Sequence, residues 1–114
     1  GNAEFKYPDA WADINFWGNE LTLHATDPNH KIISERHNVD MGNVTVPHFG
    51  VHLDAITFKN LKQRLIDKNI KFIDPPYIRF KGEDIEQETM FLADPNGNCM
   101  EIKTMKNPNT LFKK

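Results

Sequence analysis

Phe91-Leu92-Ala93-Asp94-Pro95-Asn96-Gly97-Asn98-Cys99-Met100-Glu101-Ile102 is the stretch on which the fold is decided. Asp94-Pro95-Asn96-Gly97 combines the residues that nucleate tight turns, so two strands must meet there. The strand before it is predicted from Glu86 to Ala93 and the strand after it from Asn98 to Met105. In the second of these, period-2 alternation sets Cys99, Glu101 and Lys103 against Met100 and Ile102. A carboxylate therefore stands mid-strand, opposite an apolar face, where burial is costly unless it is paired, hydrogen-bonded or metal-bound.

Working towards the N-terminus, Gly82-Glu83-Asp84 reads as a turn, Tyr77 to Lys81 as a strand, and Asp74-Pro75-Pro76 as a further turn after Ile70–Ile73. A helix is predicted from Thr57, taken as its N-cap, to Lys68, with Phe58, Leu61, Leu65 and Ile66 as its apolar stripe and Asn69 at its end. Val46 to Leu53 reads as a strand. Phe49, Val51 and Leu53 lie on one face, and His48, Gly50 and His52 on the other. The order from residue 45 to 105 is β-α-β-β-β. Asp27 to Val44 is polar and reads as a long linker loop holding His30 and His37, both expected to be solvated. Trp11 to Thr26 reads as a hairpin turning at Gly18-Asn19. Its strand followed by Gly18-Asn19-Glu20-Leu21 echoes Gly97-Asn98-Cys99-Met100, so residues 1–26 are expected to be the end of an earlier copy of the same unit, without its opening strand and helix. Residues 106–114 form a tail expected to dock through Leu111 and Phe112.

Composition sets wide bounds. The chain has 114 residues, 39% apolar and 26% charged, with a net charge of −2. That suits one compact α+β domain and lacks the basic stripe that nucleic-acid binding requires. A single cysteine, Cys99, excludes an internal disulfide and fits a reducing, cytoplasmic compartment. No apolar run approaches the roughly 20 residues of a membrane span.

Val46-Pro47-His48-Phe49-Gly50-Val51, then the helix, Arg79-Phe80-Lys81-Gly82, and the quoted stretch with Met100-Glu101-Ile102 together resemble the glyoxalase/bleomycin-resistance/extradiol-dioxygenase (vicinal-oxygen-chelate) superfamily. The resemblance implies paired βαβββ modules forming a curved mixed sheet around one cavity, the first module being incomplete here. It implies a divalent metal (iron, nickel, zinc or manganese) on His48 and Glu101, with a third ligand expected from the absent first strand of the other module. Thr22, which matches Glu101 by position in the earlier copy, offers no acidic ligand. By spacing alone, His48 reads equally as a half-buried strand histidine satisfied by backbone, and Glu101 as a surface carboxylate paired with a lysine.

His24 and His52 share the parity of the cavity face and are candidates for substrate contact. Arg79, Gln87 and Thr89 would suit a carboxylate or enolate substrate, although Arg79 and Lys81 would also pair with nearby acids. The implied function is a metal-dependent enzyme acting on a small oxygenated substrate, with Glu101 as ligand and catalytic base. The rival is a metal-free, drug-sequestering binding protein whose apolar walls would be Trp11, Phe16, Trp17, Tyr77 and Phe80. Such a binder has no use for His48 and Glu101. Unpaired strand edges would favour a homodimer.

Overall fold

The computed structural model describes residues 3–7, 11–25, 35–39 and 42–111. The chain divides into two compact units, Gly1–His30 and Lys31–Lys114. The first unit is a three-stranded antiparallel sheet of β1 (Ala3–Tyr7), β2 (Trp11–Phe16) and β3 (Asn19–His24) in the order β1-β2-β3. Residues 1–26, read as a hairpin closing an earlier copy of the unit, thus also supply a third strand, β1, paired with β2. The β2–β3 turn sits one residue earlier than expected. Trp17 and Gly18 both adopt positive φ, at 48° and 87°, and Phe16 pairs with Asn19. Two left-handed residues match the twist of a two-residue hairpin, and Asn15 Oδ1 accepts the Gly18 N–H at 2.8 Å to hold it.

The second unit opens with a hairpin of β4 (Glu35–Val39) and β5 (Gly42–Val46), where the sequence predicted a linker loop. His37 is carried by β4, opposite Val44, rather than by a loop, and His30 lies outside the described residues. The polar composition hid this hairpin, which is held from outside itself. Val44 is buried against Phe91 and Cys99, with Val46 and Tyr77 packed alongside. Arg36 forms a fork to Asp74 at 3.0 and 3.1 Å and also donates to Thr45 Oγ1 and the Asn43 carbonyl. Hydrogen bonding to Asp74 raises the Arg36 pKa further above its ordinary value.

The predicted strand from Val46 to Leu53 is broken at Pro47, which has no N–H for a ladder; the Val46–Pro47 peptide bond is cis. Beyond it come β6 (His48–His52), α1 (Ala55–Asp67), β7 (Asp74–Arg79), β8 (Gln87–Ala93) and β9 (Cys99–Met105). These form the predicted β-α-β-β-β order in a mixed four-stranded sheet, β6-β9-β8-β7, with β6 parallel to β9. The chain is therefore α+β.

The helix starts two residues before the expected Thr57. Asp54 is its N-cap, accepting the Thr57 N–H at 2.7 Å, and that bond lowers the Asp54 pKa. Asn69, at φ 56°, closes the other end in the left-handed conformation. Phe58, Leu61 and Leu65 cover Val51, Leu53, Met90, Leu92, Met100 and Ile102, so α1 buries one face of the sheet. Full burial of an aromatic or aliphatic side chain of this kind contributes about 1.5–3 kcal/mol. Ile66, assigned to the apolar stripe, is exposed.

Asp74-Pro75-Pro76, read as a turn, begins β7 instead. The prolines are tolerated because β7 is an edge strand with a register shift between Asp74 and Tyr77. The deciding turn forms as predicted. Asp94 Oδ1 accepts the Asn96 and Asn98 N–H groups at 2.9 Å, and Gly97 takes φ 91°. In the tail, a 3-10 turn (Pro108–Thr110) buries Thr110 rather than Leu111, which is exposed; Phe112 lies outside the described residues. No helix among the described residues is long and apolar enough to cross a membrane.

Candidate functional site

With α1 on one face, the alternation of β6, β9, β8 and β7 collects polar side chains on the other. The register places His48 beside Cys99, Gly50 beside Glu101, and His52 beside Lys103. Across β8, Phe91 faces Glu101, and Thr89 faces both Lys103 and Tyr77. Gln87 is opposite Arg79. Six of the predicted site residues therefore share one face: His48, His52, Arg79, Gln87, Thr89 and Glu101. His24 stands in the first unit, exposed on β3 opposite Trp11. An open cleft of about 350 Å³ is lined by His48, Phe49, Gly50, Val51, His52, Glu101 and Lys103. That volume lies at the lower end of the range for small-molecule pockets.

The centre of the cleft is built from both ends of the module. His48 follows the Pro47 corner, and its Nδ1 lies 2.8 Å from the Thr45 carbonyl oxygen. A carbonyl only accepts, so Nδ1 is the donor, and the tautomer with its proton there has its Nε2 lone pair on the Glu101 side. Nε2 lies 3.8 Å from Glu101 Oε1, with the two side chains only 26% and 15% exposed. The other carboxylate oxygen, Oε2, accepts the Thr89 hydroxyl at 2.8 Å. Thr89 is fully buried, and the Phe91 and His48 rings pack at right angles with centroids 5.2 Å apart, so both donors are held in place. Gly50 allows the strands to approach: a Cβ there would lie 2.5 Å from the Glu101 carbonyl oxygen.

This donor set fits a divalent cation in part. A nitrogen lone pair and a carboxylate oxygen 3.8 Å apart can share an ion about 2.1 Å from each. Among the described residues no group of three or more His, Cys, Asp or Glu side chains is arranged to hold a metal ion.

Around this pair, burial pushes the Tyr77 hydroxyl and the Cys99 thiol up in pKa, with Asp74 adding to both shifts. Cys99 is therefore a small buried thiol, unsuited to nucleophilic work. Burial first, and the Lys103 charge second, lower the His52 pKa. The Arg79 guanidinium lies 5.0 Å over the Phe80 ring. Gln87 is buried; its amide donates to the Ile85 carbonyl at 3.3 Å, while Oε1 has no partner among the described residues. Sequence reasoning placed Gly50 and Lys103 on this face without giving either a role, and missed the Thr45 carbonyl entirely. Glycine within an alternating strand was a readable sign of close approach. A backbone carbonyl leaves no sign in a sequence.

Among solved structures, the chain is similar to a glyoxalase/bleomycin resistance protein/dioxygenase from Alicyclobacillus acidocaldarius, at 28% identity and a TM-score of 0.72, covering 96% of this chain and 76% of that one. It also shares its fold with a protein described as a conserved domain protein, at 19% identity and a TM-score of 0.51, covering 86% and 72% of the two chains. No protein-family model matches the chain, and no curated protein does.

Proposed function

The chain belongs to the glyoxalase/bleomycin-resistance/dioxygenase superfamily, and from that premise we propose that it is a divalent-metal-dependent enzyme acting on a small oxygenated substrate, with His48 and Glu101 as metal ligands. The observation that carries this reading is the Thr45 carbonyl holding the Nδ1 proton of His48, which leaves the Nε2 lone pair opposite Glu101. Orienting a ligating imidazole through its second nitrogen is the usual support for a metal-binding histidine. A divalent ion there would supply charge stabilisation for neighbouring substrate oxygens.

The chain's own residues do the rest. Thr89 fixes the rotation of the Glu101 carboxylate by donating to Oε2. Oε1, on the His48 side, would hold the ion and, once released from it, would be the oxygen that takes a proton from the substrate. Phe91 packs against the His48 ring at right angles and limits its rotation. Homodimer formation belongs to the same reading, because β6 and β7 are the outer strands of their sheet.

Elemental analysis of protein purified without chelator, followed by reconstitution with iron(II), nickel, zinc or manganese, tests the proposal. Near-stoichiometric metal is expected. Iron would favour oxygen chemistry, and nickel, zinc or manganese would favour isomerase or lyase chemistry. No metal in any preparation would overturn the reading in favour of a metal-free binding protein. Thr89→Val provides a finer check, since it keeps side-chain shape but removes the hydroxyl that orients Glu101. Metal affinity should fall roughly 10–100-fold, measured by calorimetric titration.

A further inference from the structure

Lys103 brings a cation to the cleft. It is half-buried on β9, two residues beyond Glu101, and lines the same cleft. Among the described residues its ammonium has neither an ion pair nor a hydrogen bond, whereas Lys62 is paired with Glu88 at 2.7 Å. Beside it in register is His52, whose ring lines the cleft and whose Nε2 is buried with no hydrogen-bond partner. On its other side Lys103 pairs with Thr89, which is already engaged by Glu101. An ammonium without an anion among the described residues, beside an imidazole ring that lines the same cleft, is complementary to an oxyanion, which would pair with the charge and lie against the ring.

We infer that Lys103 and His52 form a carboxylate-binding subsite in the cleft. Its meaning for the substrate rests on the metal reading of His48 and Glu101. Two residues along a strand span about 7 Å, so the substrate class is a small oxygenated acid: chelating oxygens at one end and a carboxylate at the other. The subsite sets polarity as well as affinity, because the carboxylate end fixes which substrate atoms face Glu101 Oε1.

The test uses the full chain with propionate, a carboxylate without chelating oxygens, followed by backbone amide NMR at constant ionic strength. Saturable shifts are expected at residues 50–53 and 101–105. They should weaken at least about tenfold in affinity in Lys103→Met and persist in Lys103→Arg. They should also persist in His48→Ala, which removes the proposed metal ligand and leaves the subsite. Absence of saturable shifts, equal affinity in Lys103→Met, or the same shifts with chloride would each overturn the subsite. Metal binding without propionate binding would remove the subsite and leave the metal reading standing. Propionate binding by a protein that takes up no metal would do the reverse.

Discussion

Glu101→Ala is expected to weaken divalent-metal binding by more than about 100-fold, a larger loss than removal of an outer hydrogen bond gives. Glu101 supplies the only negative charge in the pair, and it does so from a side chain 15% exposed, where water cannot replace it as a donor of fixed geometry. Alanine also leaves the buried Thr89 hydroxyl without its 2.8 Å acceptor, so a modest loss of stability should accompany the loss of metal. Glu101→Gln separates the two effects. It preserves size and an acceptor for Thr89, so it should fold like the parent while binding metal far more weakly. Calorimetric titration with the metal found in the purified protein measures both variants. Unchanged metal content in Glu101→Ala would remove Glu101 from the site.

Gly50→Ala is the second large effect, and it acts through the backbone. A Cβ at residue 50 would meet the Glu101 carbonyl oxygen at 2.5 Å and the Glu101 Cβ at 3.0 Å. Neither neighbour is a flexible side-chain end, so β6 and β9 must separate. Overpacking of this kind typically costs about 1–3 kcal/mol. Separation of these strands also pulls His48 away from Glu101, since both lie on the displaced segments. The expected result is a lower urea midpoint together with weakened metal binding. A protein of parental stability and affinity would show that the strands adjust without strain.

What the sequence made legible followed from local rules. The Asp94-Pro95-Asn96-Gly97 turn, the β-α-β-β-β order and the facing of His48, His52 and Glu101 all arise from turn chemistry and period-2 alternation, which neighbouring residues carry among themselves. The β4–β5 hairpin was not legible. Its stability lies in Arg36 reaching Asp74, 38 positions away, and in Val44 meeting Phe91 and Cys99. Asp74-Pro75-Pro76 misled for the opposite reason: its turn propensity is real, yet an edge strand with a register shift accommodates it. The Asp54 cap was passed over for Thr57 because both are good capping residues, and only the 2.7 Å bond between them decides which one caps. In the site, residue types were readable and their coupling was not. Nothing in the chain's spelling joins Thr45 to the proton of His48.

The parallel pairing of β6 with β9 has a consequence for how the protein comes to be functional. These are the first and last strands of the module, neighbours in the sheet but separated in sequence by α1, β7 and β8. His48 and Glu101 therefore meet only when that whole segment is closed into a loop. Contacts of such long sequence separation require closure of the whole intervening loop and tend to form late in folding. The cleft is thus a report on completion: a nascent chain lacking β9 has no site, and a ligand held by both strands is bound by the finished module alone. Any such ligand would stabilise the folded state in proportion to its occupancy, coupling cellular abundance of the protein to supply of what it binds.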